Sequence, residues 1–169
     1  SLSEALSKAR YVICAIPTQF VRSVFKEVAL YIEKDAIVVS ASKGIEKGSL
    51  LTVSGILKEL LINDVAVLSG PSFAKEVAQK LPTAVTIATT NTSIALLLQE
   101  VFSTDYFRVY THHDILGVEL GGALKNVIAI ATGVSDGLGL GLNARAALIT
   151  RGLAEIIRLG VKMGAEEKT

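Results

Sequence analysis

The chain has no stretch of 18 or more apolar residues, although half of its 169 residues are hydrophobic and its mean hydropathy is +0.51. Glu119, Lys125 and Asp136 interrupt the most hydrophobic region, so no membrane span is expected. Nothing in these 169 residues resembles a cationic, apolar leader, so no signal peptide is expected within them. Cysteine occurs once: Cys14, inside the apolar run 11–16, can form no internal disulfide and reads as a small buried hydrophobe, which fits a reducing cytoplasm. Seventeen basic residues against sixteen acidic ones leave a net charge of +1 with no basic block and no aromatic series, so no nucleic-acid surface is expected. Methionine occurs only at position 163 and the chain opens on Ser1, so the sequence is expected to be a piece of a longer polypeptide.

What is present is an alternation. Short β-rich apolar runs at 11–16, 36–40, 66–69, 83–88 and 107–110 are separated by helical patterns near 18–32, 51–61, 73–79 and 92–102. Repeated βα units of this kind feed a mostly parallel sheet, and buried strands account for the high hydropathy. After Tyr110 the strand pattern stops, and two long helical patterns, about 115–134 and 143–163, carry the chain to its end. A boundary is therefore expected at 111–114. Gly137-Leu-Gly-Leu-Gly141 separates the two long helices; no strand precedes it, so it reads as a helix-to-helix turn rather than a phosphate loop.

In open α/β sheets ligands bind beyond the carboxyl ends of the strands. Pro17-Thr-Gln-Phe20 follows the first strand, with Phe20 either facing a ligand or packed on the sheet. Ala41-Ser-Lys-Gly44 follows the second, where Lys43 is either solvated surface or aimed at a phosphate past the unobstructed glycine. Ser69-Gly-Pro-Ser-Phe-Ala74 follows the third, with Gly70 and Pro71 in a turn and Ser72 placed as a helix N-cap. The most informative position is Lys125, a charged amine in an otherwise apolar helix, one turn after Gly121 and Gly122 on the same face. Two glycines in a helix cost about 1 kcal/mol each relative to alanine, which calls for a packing or functional reason. Lys125 either snorkels to solvent or reaches over a ligand that approaches those glycines. His112 and His113 lack a third ligand at suitable spacing and read as hinge or surface, so no metal is expected. Arg145 and Arg151 are consistent with ion pairs or with a phosphate.

The run from Gly122 to Asn143 resembles the signature of NAD(P)-dependent glycerol-3-phosphate dehydrogenases, where G-A-x-K-N opens the stretch and D-G-x-x-x-G-x-N closes it. Lys125, Asn126, Gly133, Asp136, Gly137, Gly141 and Asn143 supply its elements. Ser40-Ala-Ser-Lys-Gly44 and Leu68-Ser-Gly-Pro-Ser-Phe-Ala-Lys-Glu76 are similar to the family's upstream segments. Ala129, a turn after Lys125, separates the chain from hydroxyacid dehydrogenases whose lysine and asparagine lie a turn apart.

The resemblance implies a partial Rossmann-type sheet over 1–111, the C-terminal part of an NAD(P)-binding domain, and the beginning of a helical catalytic domain over 112–169. It implies that the first strand, the glycine-rich phosphate loop and the first crossover helix precede this segment, and that further substrate-phosphate ligands follow Thr169. Lys125 is then the acid/base; Phe20, Lys43 and Ala74 meet NAD or NADP; Lys43, Gly70, Ser72, Lys125 and Asn126 meet substrate. Burial and the like charge of Lys43 are expected to lower the Lys125 pKa. The implied reaction interconverts glycerone phosphate and sn-glycerol 3-phosphate in the cytoplasm, feeding glycerophospholipid synthesis, in a homodimer when complete. Two alternatives stand beside it: a noncatalytic truncated fragment, and a dehydrogenase of another small phosphorylated ketone or hydroxyacid.

Overall fold

The period-2 pattern of the apolar runs becomes a sheet with a separate core on each face. The computed structural model describes residues 1–169 and has five strands, β1 (Tyr11–Cys14), β2 (Ile37–Ser40), β3 (Val65–Ser69), β4 (Thr83–Ala88) and β5 (Phe107–His112), in that spatial order. β1, β2 and β3 run parallel, β4 is antiparallel to β3, and β5 is parallel to β4. The helices are α1 (Leu2–Leu6), α2 (Thr18–Val28), α3 (Val53–Leu60), α4 (Ala74–Ala78), α5 (Thr92–Phe102), α6 (Ile115–Gly137) and α7 (Gly141–Met163).

Successive side chains of β2 show why both faces must be covered. Val38 packs with Val21 and Phe25 of α2 and Ile56 and Leu57 of α3, whereas Ile37 and Val39 pack with Ile94 and Leu98 of α5. All four residues of β2 are buried. The α/β class and mostly parallel sheet expected from sequence are present. The one antiparallel pair follows from the short α4 connection, which returns the chain beside β3 without a full crossover helix.

Several boundaries differ from the sequence reading for local reasons. β1 stops at Cys14 because Ile16 turns its amide and carbonyl to the Ser42 hydroxyl. β5 continues to His112, which pairs with Ala88. α1, absent from the sequence reading, is one short turn closed by a capping box between Ser1 and Glu4. The α6–α7 connector is the expected turn, with Gly139 and Gly141 at φ 67° and 82°.

α6 packs across β3 and β4, where Ile115 and Val118 lie on Val67 of β3 and Ala88 of β4, and then passes the carboxyl end of β3 at Ser69. It then runs antiparallel to α7, with Gly152 set so closely that a Cβ there would stand 2.5 Å from Ile128 Cδ1. With 23 residues and a mean hydropathy of 1.4 in its most apolar window, α6 is long and apolar enough to cross a membrane, even though Glu119, Lys125 and Asp136 interrupt it. Its first half is nevertheless committed to the sheet through buried Ile115, Glu119, Leu120 and Gly122.

Candidate active site

The loop carrying Lys43 is fastened to the start of α2 by three polar side chains. Ser42 Oγ donates to the Ile16 carbonyl (2.6 Å) and accepts the Ile16 amide (3.1 Å). Thr18 Oγ1 donates to the Lys43 carbonyl (3.0 Å), and the Gln19 amide both donates to the Ile45 carbonyl (2.9 Å) and accepts the Lys47 amide (3.0 Å). Gly44 is required at this closure: its φ is 139°, and a Cβ would stand 2.8 Å from Thr18 Oγ1. Below the loop, Arg22 bridges Glu46 and Glu59, and the Arg22 and Ser49 hydrogen bonds hold the Glu46 carboxyl below its ordinary pKa.

At the end of β3 the backbone passes against β4 so tightly that a Cβ on Gly70 would lie 2.8 Å from Val85 Cα. Opposite stands α6. Asp114 caps its first turn through the Gly117 amide (2.9 Å), and Gly122 lets it approach β3 until a Cβ there would meet Ser69 Oγ at 2.7 Å and Lys43 Cγ at 3.9 Å. Gly121 has open space where a side chain would be. Between these walls lies a cleft of about 300 Å³ lined by Ser69, Gly70, Pro71, Thr86, Gly117, Val118, Gly121, Gly122, Lys125 and Thr169. Lys125 also borders a larger, apolar groove of about 510 Å³ between α6 and α7. Polar chemistry belongs to the smaller cleft, where two glycines and a strand end bring backbone within reach of a ligand.

Lys43 and Lys125 therefore come from separate elements to one place. Lost hydration around Lys43, and secondarily the charge of Lys125, hold the Lys43 pKa below the ordinary lysine value. The sequence reading gave the lowered value to Lys125 on the premise of burial. That premise is corrected: Lys125 is exposed, because α6 has passed the edge of the sheet by that residue and its apolar neighbours Val127 and Ile130 are exposed too.

Residues 1–95 match the family model for the NAD-dependent glycerol-3-phosphate dehydrogenase N-terminus, and residues 114–169 match that for its C-terminus. This chain belongs to the NAD-dependent glycerol-3-phosphate dehydrogenase family. It is 57% identical to glycerol-3-phosphate dehydrogenase [NAD(P)+] of Citrifermentans bemidjiense, covering 99% of this chain and 51% of that protein. The enzyme of the same name from Bacillus velezensis is 53% identical over 99% of this chain and 50% of its own length. The crystal structure of glycerol-3-phosphate dehydrogenase from Coxiella burnetii superimposes with a TM-score of 0.93 at 41% identity, over 99% of this chain and 52% of that one. The chain thus spans about half the length of the curated relatives it matches.

Of the positions that the resemblance to glycerol-3-phosphate dehydrogenases singled out, Gly70 and Lys125 line the cleft, and Lys43 reaches the Gly122 face of α6. Phe20 (60% exposed) and Ala74 lie outside the cleft at the starts of α2 and α4, and exposed Asn126 lies beside Lys125 on α6. Ser72 is half-buried outside the cleft lining, and it is not the cap of α4: Phe73 holds that position and no side chain caps the helix. Ser69, Thr86 and Thr169 line the cleft without having been expected there. Ser69 directly precedes Gly70 and was within reach of the strand-end argument; Thr86 and Thr169 carried no local signal.

The two histidines do acquire a third potential ligand, Glu166, whose Oε1 lies 2.6 Å from His113 Nε2, correcting the sequence reading on that point. Metal chemistry does not suit their arrangement. The rings stack at 5.0 Å with 7° between planes, so their in-plane lone pairs do not converge. His112 Nδ1 accepts the Asp114 amide (3.0 Å), leaving its proton on Nε2. Arg145 pairs with Asp136 and Arg151 with Glu155, resolving both arginines as ion pairs. Burial pushes the Cys14 thiol above its ordinary pKa despite its Ser42 and Ile16 contacts, as suits an inert core residue.

Proposed function

We propose that the complete polypeptide is an NAD(P)-dependent oxidoreductase interconverting glycerone phosphate and sn-glycerol 3-phosphate, with Lys125 as acid/base. The observation that carries this reading is a glycine-walled cleft at the carboxyl ends of parallel strands that Lys125 lines, with Lys43 beside its Gly122 wall and close enough to feel the Lys125 charge. Two cations suit a substrate that carries a phosphate and develops negative charge on a carbonyl oxygen. Residues 1–111 belong on this reading to the dinucleotide-binding domain and 112–169 to the helical catalytic domain.

The residues present fit the nicotinamide end of the cofactor. Gly121 leaves the α6 backbone open to a ligand, Phe20 offers an open aromatic face, and Ala74 offers little bulk. When bound, the dinucleotide supplies or accepts the hydride. The protein's part is charge and position. Lys125 holds its ammonium at the ketone oxygen, neutralises the negative charge that reduction places there and donates the proton that completes the alcohol. In the opposite direction the neutral amine takes the alcohol proton. Lys43 attracts the phosphorylated substrate and the cofactor, the backbone at Gly70 forms part of the substrate wall, Ser72 meets substrate only where it extends beyond the cleft lining, and Asn126 orients the amine or the substrate. We place the enzyme in the cytoplasm as a homodimer feeding glycerophospholipid synthesis; the single, buried cysteine, free of any disulfide within the chain, is consistent with that compartment, and the exposed apolar residues of α6 and α7 support association.

Steady-state NADH and NADPH oxidation by the full-length polypeptide tests the reading. Glycerone phosphate is expected to be reduced far better than an uncharged ketone of the same carbon count, and Lys125→Met to abolish turnover. Equal use of the uncharged ketone, or turnover undiminished in Lys125→Met, overturns it.

A further inference from the structure

Glu119 is a buried carboxylate, 7% exposed, that the reaction above does not use. Its Oε1 accepts the backbone amide of Ser54 at 2.8 Å and its Oε2 accepts the Ser54 hydroxyl at 2.5 Å. No lysine or arginine pairs with it; the ion pairs of the chain lie elsewhere. Ser54 is the second residue of α3, and Thr52, the residue at the N-cap of that helix, makes no side-chain capping bond. α6 therefore caps α3 in trans, placing a negative charge at the positive end of the α3 dipole. Leucine at position 119 would fill such a site without the cost of desolvating a charge, so the carboxylate calls for a role beyond filling space.

We propose that Glu119 is a positioning residue whose clamp on Ser54 fixes the rotation and height of α6 over the sheet, and so holds Lys125 at the cleft and Asn126 beside it. The inference rests on the dehydrogenase reading for what those two residues do. The remaining α6 anchors at this level are contacts rather than directed bonds: Ile115 and Val118 on Val67 and Ala88, buried Leu120, and Gly122 against Ser69. Such contacts allow a helix to slip by fractions of an ångström. Two hydrogen bonds donated by one serine to one carboxylate resist it, because each is directional and charge-assisted. Beyond Glu119 the side-chain hydrogen bonds of α6 are Thr132 to its own Ile128 carbonyl and the Asp136 pair with α7, so none returns to the sheet. Lys125 stands about 9 Å further along the helix axis and Asn126 nearly two full turns on, at the same side as Glu119. A small tilt at Glu119 is thus carried to both.

The test uses full-length protein with Glu119→Leu, Glu119→Gln and Ser54→Ala. Leucine removes both bonds, whereas glutamine can accept the amide and donate to the hydroxyl, keeping the geometry without the charge. With glycerone phosphate and NADH, Glu119→Leu is expected to lower kcat about tenfold or more at nearly constant KM for NADH, and Glu119→Gln to stay within about threefold of the parent. Ser54→Ala, which keeps the amide bond, falls between them and serves if the leucine variant does not fold. Hydrogen exchange gives a readout independent of turnover: amides of the first turn of α3 and of residues 119–126 are expected to exchange faster together in Glu119→Leu, or in Ser54→Ala if that variant serves, by about tenfold. Unchanged exchange, or a kcat within about twofold of the parent in folded Glu119→Leu, overturns the inference. A parent inactive on glycerone phosphate overturns the dehydrogenase reading instead, and the exchange experiment then decides the clamp on its own.

Discussion

Replacing Asp114 separates two jobs that one carboxylate performs. Its Oδ1 caps α6 through the Gly117 amide at 2.9 Å, while Oδ2 accepts the Glu166 amide at 2.8 Å and the Thr169 hydroxyl at 2.6 Å, tying the segment after α7 back to the start of α6. Loss of the cap costs about 1 kcal/mol. The two further bonds are made by donors on exposed residues that regain water when released, so they contribute about 0.5–1 kcal/mol each. Asp114→Ala is therefore expected to lower the unfolding free energy by about 2–3 kcal/mol. Asn is a good cap but offers no second acceptor oxygen, so Asp114→Asn should cost only the two further bonds, about 1–2 kcal/mol. The effect should also depend on pH. Burial raises the Asp114 pKa, but the hydrogen bonds from Thr169, Gly117 and Glu166 together outweigh it and leave the carboxyl below its ordinary value. A carboxyl whose folded pKa lies below the unfolded value of about 3.9 contributes stability that is complete well above that value and is lost as pH falls through the folded pKa. Equilibrium urea unfolding at pH 7 and near pH 3 should therefore show the parent–Asp114→Ala gap narrowing at the acid end. A gap below about 1 kcal/mol at pH 7, or one of equal size at both values, refutes the reasoning.

Gly152→Ala should destabilise the α6–α7 hairpin by about 1–2 kcal/mol even after the helix-propensity gain, since its Cβ would meet three atoms of the Ile128 side chain at 2.5–2.8 Å; an unchanged melting temperature contradicts this. Gly122→Ala collides with Ser69 Oγ at 2.7 Å but clears Ser69 Cβ at 3.8 Å, so Ser69→Ala should rescue it. A double-mutant cycle is expected to give a coupling of about 1 kcal/mol, and additivity refutes the contact. Lys125→Met should raise the Lys43 pKa, read by NMR of the lysine side-chain carbons, but only by the smaller part of its depression, because lost hydration is the larger cause. Full recovery, or none, contradicts that ordering.

The strands were legible because their β-branched runs are short and bounded, and all five stand where the alternation put them to within a few residues. Lys43 and Gly70 were legible for the reason that strand ends in a parallel sheet open on one edge, so position along the chain becomes position in space. Lys125 was legible only in part. Hydrophobic neighbours such as Val127, Ile130 and Val134 gave α6 the look of a buried helix, yet these residues are 56–69% exposed, since amphipathic pattern reports what a helix face prefers and not whether a partner is present. The same pattern concealed Glu119. A lone acid in an apolar helix reads as an interruption, and its partner Ser54 lies 65 residues away, with no periodicity linking the two. Ser72 failed differently: a serine just ahead of a helix satisfies the capping rule in sequence, but α4 begins one residue later and its five residues need little capping. Polar groups that act locally leave a trace in spacing: the Ser1–Glu4 box has the S-x-x-E pattern of a capped helix, although α1 was not expected from it. Those that join distant elements, as Glu119 joins α6 to α3 and Asp114 joins both ends of the helical segment, exist only after the sheet has brought the elements together. In this chain such long-range polar links set where α6 lies, and α6 carries the lysine on which the proposed chemistry depends.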